Sequence, residues 1–255
     1  MQQMNRISEL EKQQVALAQT QGADFRSDAI RRLVAERIKP GTVLDVGCGP
    51  GALVAWLLEH GYDARGIDLS GPIVAAAQEH LRVCGLDRAR IREASVDTLV
   101  ERGDLADNIV SMDCLEHIED DRAAFASLVQ AVRPGGKLIV TVPAMPSLFG
   151  AKDRAVGHHR RYRPERLKAL AGEHPLRLDE LKYWNLLGVA PTFLAVRLFD
   201  RAVDDSFRFG EAGAGKRALR RGLSSWFRHV ENRLRPPVGL TLLMVATVLG
   251  ETGNE

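Results

Sequence analysis

Residues 43–51 read Val-Leu-Asp-Val-Gly-Cys-Gly-Pro-Gly. An apolar, β-branched run ends in glycines at 47, 49 and 51, and an apolar helical pattern starts at Ala52. Strand, glycine turn and helix in that order let a nucleotide-like ligand approach the backbone closely. A helix that follows a strand directly can serve as the crossover to a parallel partner strand further along the chain.

The rest of the chain supplies the partners. Strands are expected at 42–46, 64–67, 90–94, 108–112 and 137–142, with helices at 52–60, 72–83 and 122–132 between them. This rhythm predicts an α/β fold: a Rossmann-like, seven-stranded, mostly parallel sheet with helices on both faces. Two helices precede it, at 7–20 and at 24–38 with Asp24 as N-cap, and Arg133-Pro134-Gly135-Gly136 reads as a turn. Beyond a Pro, Gly, His and Arg-rich loop at 143–163, a helix opens at Pro164 and a strand is expected at 176–184. Residues 186–235 read as two helices around a Gly/Ala-rich link, broken by Pro236-Pro237, and 238–247 is the last strand, antiparallel to the others. The expected division is an N-terminal helix or cap at 1–24, a Rossmann-like domain at 25–185 and 236–250, and a helical insertion at 186–235.

Composition narrows the class of function. No segment reaches the roughly 20 apolar residues of a membrane span. The polar N-terminus carries no export signal, and Cys48, Cys84 and Cys114 form no CxxC pair. A cytoplasmic protein with reduced thiols is the expectation, with no zinc site and no other metal constellation. Residues 1–150 carry 16 Lys and Arg against 21 Asp and Glu, whereas 151–255 carry 19 against 12. The basic surface therefore sits on the C-terminal part, either as a solvated face or as a site for an anionic substrate.

The glycines alone leave the ligand open, because Gly47 to Ala52 also fits the dinucleotide pattern G-x-G-x-x-A. Asp45, just ahead of them, suits a ligand bearing an ammonium group better than one bearing a pyrophosphate. Asp68 ends the next strand, where a carboxylate can accept from both ribose hydroxyls or can cap the following helix.

VLDVGCGPG is followed by GIDLS (66–70), SMDCLEHIEDD (111–121) and VRPGGKLIVTVP (132–143). In this order and spacing they closely resemble the class I S-adenosylmethionine-dependent methyltransferases. The resemblance implies S-adenosylmethionine as cofactor. It implies that Asp45, Gly47, Cys48 and Gly49 hold the methionine part, that Asp68 takes the ribose and that Leu69 packs on the adenine. Ser95 and Val96 stand at the adenine edge. Met112 and Asp113 lie near the transferable methyl, and Arg26 resembles an arginine that reaches the cofactor's carboxylate. Glu116 and His117 either touch the ligand or lock the loop.

GHHRRYRPERL (157–167) resembles a bacterial subgroup that carries a Gly-His-x-Arg-Arg-Tyr stretch and a C-terminal helical insertion. A hydroxyl acceptor needs a base, and His158 and His159 are the first candidates, ahead of His117 and Asp113. Arg160, Arg161 and Tyr162, with Arg163, could bind an acidic group on the substrate. The expected partner is a small-molecule acceptor methylated on oxygen or nitrogen, such as an acidic natural product. The alternatives are a dinucleotide-dependent oxidoreductase and a non-catalytic protein that keeps the fold. The 186–235 helices are expected to form a lid, with a homodimer interface or a membrane-surface contact as other uses. No base-flipping motif is present, so nucleic acid is not an expected partner.

Overall fold

In a computed structural model of the chain, residues 25–199 and 214–250 are described. The N-terminal helix expected at 7–20, the Asp24 cap and part of the link within 186–235 lie outside them. Seven strands form one sheet in the order β3-β2-β1-β4-β5-β7-β6. These are β1 Thr42–Val46, β2 Asp63–Asp68, β3 Ile91–Glu93, β4 Ala106–Met112, β5 Val132–Pro143, β6 Leu176–Trp184 and β7 Thr241–Val248. β1 to β5 run parallel, and β7 lies antiparallel between β5 and β6.

Alternation along the strands builds two cores. Val43, Val110, Ile139, Leu243 and Val245 face one side of the sheet. Leu44, Ile109, Leu138, Val140, Leu242 and Met244 face the other. α1 (Phe25–Ala35), α2 (Ala52–Glu59) and α3 (Gly71–Val83) cover the first side. α4 (Val96–Glu101), α5 (Asp121–Gln130) and α7 (Pro164–Gly172) cover the second. Helices on both faces force the β1–β5 loops to emerge at the strands' carboxyl ends, where parallel α/β sheets bind ligands.

The expected architecture is present, with local differences. Helix α4 stands where only site residues were expected, because the Ser95 hydroxyl accepts from the Thr98 N–H at 3.1 Å and starts a helix there. The turn expected at 133–136 belongs to β5, whose pairing with β4 shifts register between Ala106 and Asn108. The 143–163 segment holds a 3-10 turn (Pro146–Leu148) and the short helix α6 (Ala151–Ala155).

The two helices of the insertion pack in different places. α8 (Val189–Phe199) lies against the 146–148 turn, while α9 (Ala214–Trp226) packs on α1. A π-helical turn, Phe227–Glu231, follows α9, and Phe227 joins the core. Asn232 then ties this end down. It accepts from Trp184 Nε1 at 2.9 Å, and its Nδ2 donates to the Ala29 carbonyl at 3.0 Å. Asn232→Ala leaves a buried N–H and a buried C=O unpaired, so we expect a loss of about 3 kcal/mol, read by chemical denaturation. An unchanged midpoint would mean that these bonds do not anchor the segment.

Candidate functional site

The first half of the site forms where β1 and β2 end. Gly47 has φ +71°, and a Cβ there would fall 2.5 Å from Cys114 Sγ, so only glycine fits. The Gly47 and Cys48 N–H groups both donate to the Ile67 carbonyl, at 2.9 and 3.0 Å, which locks the loop to β2. Gly49 also has positive φ, and its N–H donates to Asp68 Oδ2 at 3.0 Å. The Ser70 N–H donates to Asp68 Oδ1 at 3.0 Å. Each Asp68 oxygen is thus held by one amide and keeps lone pairs for a ligand. Ser70 is the N-cap of α3, its hydroxyl accepting from Ile73 N–H, so Asp68 is not that cap. Leu69 beside it is 73% exposed, an apolar surface set next to an acid.

Asp45 is buried, and no hydrogen bond to its carboxyl forms among the described residues. Burial, and then the charge of Asp68, push its pKa up to about 7. Cys48 instead turns into the core, against Gly66 and Val54. Arg26 sits over the Trp184 ring, 6.0 Å from its centre. Ser95 caps α4 and Val96 is half-buried against the second core.

The second half forms at the ends of β4 and β5. Met112 ends β4, and Asp113 follows with φ +49°. A non-glycine residue in that conformation is strained, a feature that collects at functional sites. The Asp113 N–H donates to the Thr141 carbonyl at 2.9 Å and its side chain is exposed. A 3-10 turn, Leu115–His117, then buries Glu116 completely. Burial, and then Asp113, raise the Glu116 carboxyl well above its ordinary value. His117 is brought down to about 4, by burial first and then by His158 and His159.

The 143–163 loop closes on itself and brings a third group to this place. The Tyr162 N–H donates to the Pro143 carbonyl at 2.8 Å, and Tyr162 bridges to Ala144. Asp153 sits inside the loop, 2% exposed. It accepts from Gly150 N–H at 2.9 Å and from Arg161 Nε at 2.9 and 3.0 Å, and it pairs with His158 Nδ1 at 2.9 Å. Burial alone would raise its carboxyl, but the bonds from His158, Arg161 and Gly150 outweigh burial and bring it down to about 2. With Nδ1 held, His158 turns Nε2 toward Glu116, 3.8 Å from Oε1, and its ring stands edge-on to His117 at 4.7 Å. His159 goes the other way: its N–H donates to the Glu116 carbonyl at 2.7 Å and its ring is exposed.

The structure puts the arginines and the tyrosine to internal use. Arg160 donates to the Ile118 and Glu119 carbonyls, Arg161 to Asp153 and the Ala144 carbonyl, and Tyr162 is buried. They hold the loop, and none of the three reaches into open space with a free fork. A grouping that the sequence does not reveal appears here. One ligand atom each from Glu116, His117 and His158 lies within 4.8 Å of the others. The sequence hides this because the loop must fold back across 41 positions before His158 meets His117. Asp153 went unread for the same reason, an acid close to a histidine in a loop being the only trace.

A glycine cradle with acids at the ends of two adjacent parallel strands defines a nucleotide-cofactor site of the Rossmann-like class. Residues 18–185 match a family described as "Methyltransferase domain". The chain belongs to this methyltransferase family. A ubiquinone biosynthesis O-methyltransferase of Methylococcus capsulatus is 39% identical over 95 residues, 36% of this chain and 39% of that protein. The matched stretch thus spans about two-fifths of that relative's length. Among solved structures, a complex of the Haloferax volcanii Trm112 methyltransferase activator with a methyltransferase shares the fold. It aligns with TM-score 0.61 and 15% identity over 95% of this chain and 97% of that one. A geranyl diphosphate methyltransferase in complex with SAM aligns with TM-score 0.57 and 15% identity, over 88% and 86% of the two chains.

Proposed function

We propose that this chain transfers a methyl group from S-adenosylmethionine to a hydroxyl oxygen of a small-molecule acceptor. The observation that carries the reading is His158, fixed through Nδ1 by Asp153 with Nε2 turned toward Glu116 in the turn after β4. A histidine held in one tautomer by a buried acid is built to take a proton. The O-methyltransferase relative supports oxygen as the acceptor atom.

The residues present fit the cofactor. Asp45 is a buried carboxyl that lacks a partner, and a ligand ammonium would supply one. Asp68 offers lone pairs to two ribose hydroxyls, and Leu69 offers an apolar face to adenine. Bound there, S-adenosylmethionine supplies a methyl group on a positively charged sulfur, a leaving group that needs no further activation. The chain's own task is to align the acceptor oxygen and to remove its proton. Met112 and Asp113 border the place where the acceptor must lie. α8 reaches this loop, since a Cβ on Gly150 would sit 3.3 Å from Val196, and it acts as a lid that presents Phe193 and Leu194 as exposed apolar side chains. No helix among the described residues is long and apolar enough to cross a membrane, and the chain acts on its acceptor in the cytoplasm.

The test is incubation with methyl-labelled S-adenosylmethionine and a panel of phenols, aliphatic alcohols, carboxylic acids and amines. Label on hydroxyl oxygens supports the reading, and label on amines alone would refute it. The Asp45 carboxyl adds a pH dependence. It must ionise to meet an ammonium, and in the free chain it does so at about 7. Affinity for S-adenosylhomocysteine should therefore climb by up to ~10-fold per pH unit below 7 and level off above it. Without ligand the sign reverses for stability. The unfolded carboxyl ionises near 3.8, so this carboxyl's share of the stability is lost as pH rises from there to about 7. Calorimetry and thermal melts on Asp45→Asn, compared with wild type, check the assignment: the difference between the two should carry both dependences.

A further inference from the structure

We propose that Glu116, His117 and His158 form a binding site for a divalent transition-metal cation in the turn that follows β4. The ligand atoms of the three lie within 4.8 Å of one another, which a small movement about a central ion would close to bonding distance. Glu116 is fully buried, and neither of its side-chain oxygens has a hydrogen-bond partner. A buried carboxylate in that state is costly unless a cation or a proton sits on it. The nearby guanidinium of Arg161 is committed to Asp153 and the Ala144 carbonyl. Neither ring nitrogen of His117 is hydrogen-bonded among the described residues.

His158 is arranged as metal-binding histidines are. Its Nδ1 is paired with the Asp153 carboxylate at 2.9 Å, leaving Nε2 as a lone pair turned on Glu116. A carboxylate behind a ligating imidazole fixes its tautomer and strengthens the bond to the ion. One carboxylate and two imidazoles are the donor set of catalytic zinc sites with an open position, and of other first-row ions. Magnesium and calcium prefer oxygen donors throughout.

This inference rests on the O-methylation reading and deepens it. An acceptor hydroxyl occupying the open position on the cation loses its proton to water, because the bound oxygen is made more acidic. The oxygen lone pair then forms the bond to the methyl carbon, and the carbon–sulfur pair leaves with the sulfur. With the cation present, His158 Nε2 is a ligand, and the cation does the work that this nitrogen performs as a base in its absence.

The full chain, stripped with a chelator, is titrated with cobalt(II) and followed by its visible absorption, with zinc(II) as competitor. One equivalent should bind, and zinc should displace it. Glu116→Gln, His117→Ala and His158→Ala should each weaken cobalt by more than about 100-fold, while His60→Ala keeps full affinity. Calorimetry with S-adenosylhomocysteine is run on every variant. Loss of cobalt with cofactor binding intact supports the site. No cobalt binding to the wild-type chain, or binding that survives all three substitutions, overturns it, and cofactor binding separately reports on the parent reading. X-ray absorption of the zinc-loaded wild-type chain needs no substitution: two imidazoles and a carboxylate are expected, and sulfur from the adjacent Cys114 in the shell would refute the assignment.

Discussion

Asp68→Ala should raise the dissociation constant for S-adenosylhomocysteine by about 100-fold or more. The expected loss is two hydrogen bonds from ribose hydroxyls to a charged acceptor, worth about 1.5–3 kcal/mol each. A second effect adds to it. The same carboxylate holds the Gly49 and Ser70 N–H groups, both at 3.0 Å, so its removal loosens the glycine loop that forms the rest of the cradle. Asp68→Asn separates the two effects: it keeps an acceptor for one amide but carries no charge, and should fall between wild type and alanine. Calorimetry measures the binding and a thermal melt measures the loop's share. An unchanged dissociation constant in Asp68→Ala would place the ribose elsewhere.

His158→Ala should lower kcat by about 100- to 10,000-fold, with the affinity for S-adenosylhomocysteine unchanged. The asymmetry between the neighbouring histidines is the sharper part of the expectation. His158 is paired with Asp153 and turned toward Glu116, whereas the ring of His159 is exposed and only its backbone is engaged. His159→Ala should therefore keep most turnover. Asp153→Asn should act through His158, because an amide in that place no longer favours the tautomer with Nε2 free; its mark is a shifted pH–rate profile at unchanged cofactor affinity. Equal losses in His158→Ala and His159→Ala would remove the distinction, and full turnover in His158→Ala would remove its role.

The sheet was legible because each strand obeys a local rule. Val43 and Leu44 point to opposite cores as a period of two requires, and the glycines at 47, 49 and 51 allow one kind of turn. The proposed cofactor half of the site lies within reach of the same rule: Asp45, Gly47 and Asp68 stand at strand ends that the pattern itself locates. The proposed catalytic half does not. Glu116 and His158 meet only because Tyr162 returns to pair with Ala144, and that closure depends on the path of the chain rather than on its periodicity. At Ser95 the local rule adds a role that the resemblance does not imply, the cap of helix α4. In the 186–235 insertion the helical pattern locates two helices but not their packing: Asn232 and Phe227 bind its end into the core, while α8 lies against the 146–148 turn.

A crystal structure of the chain with S-adenosylhomocysteine tests the central claim most directly. The ribose hydroxyls should lie on the Asp68 carboxylate and the ammonium on Asp45, with the sulfur opening toward Asp113 and the Nε2 of His158. A ligand seated with its ribose away from Asp68, or with its sulfur facing away from His158, would contradict it.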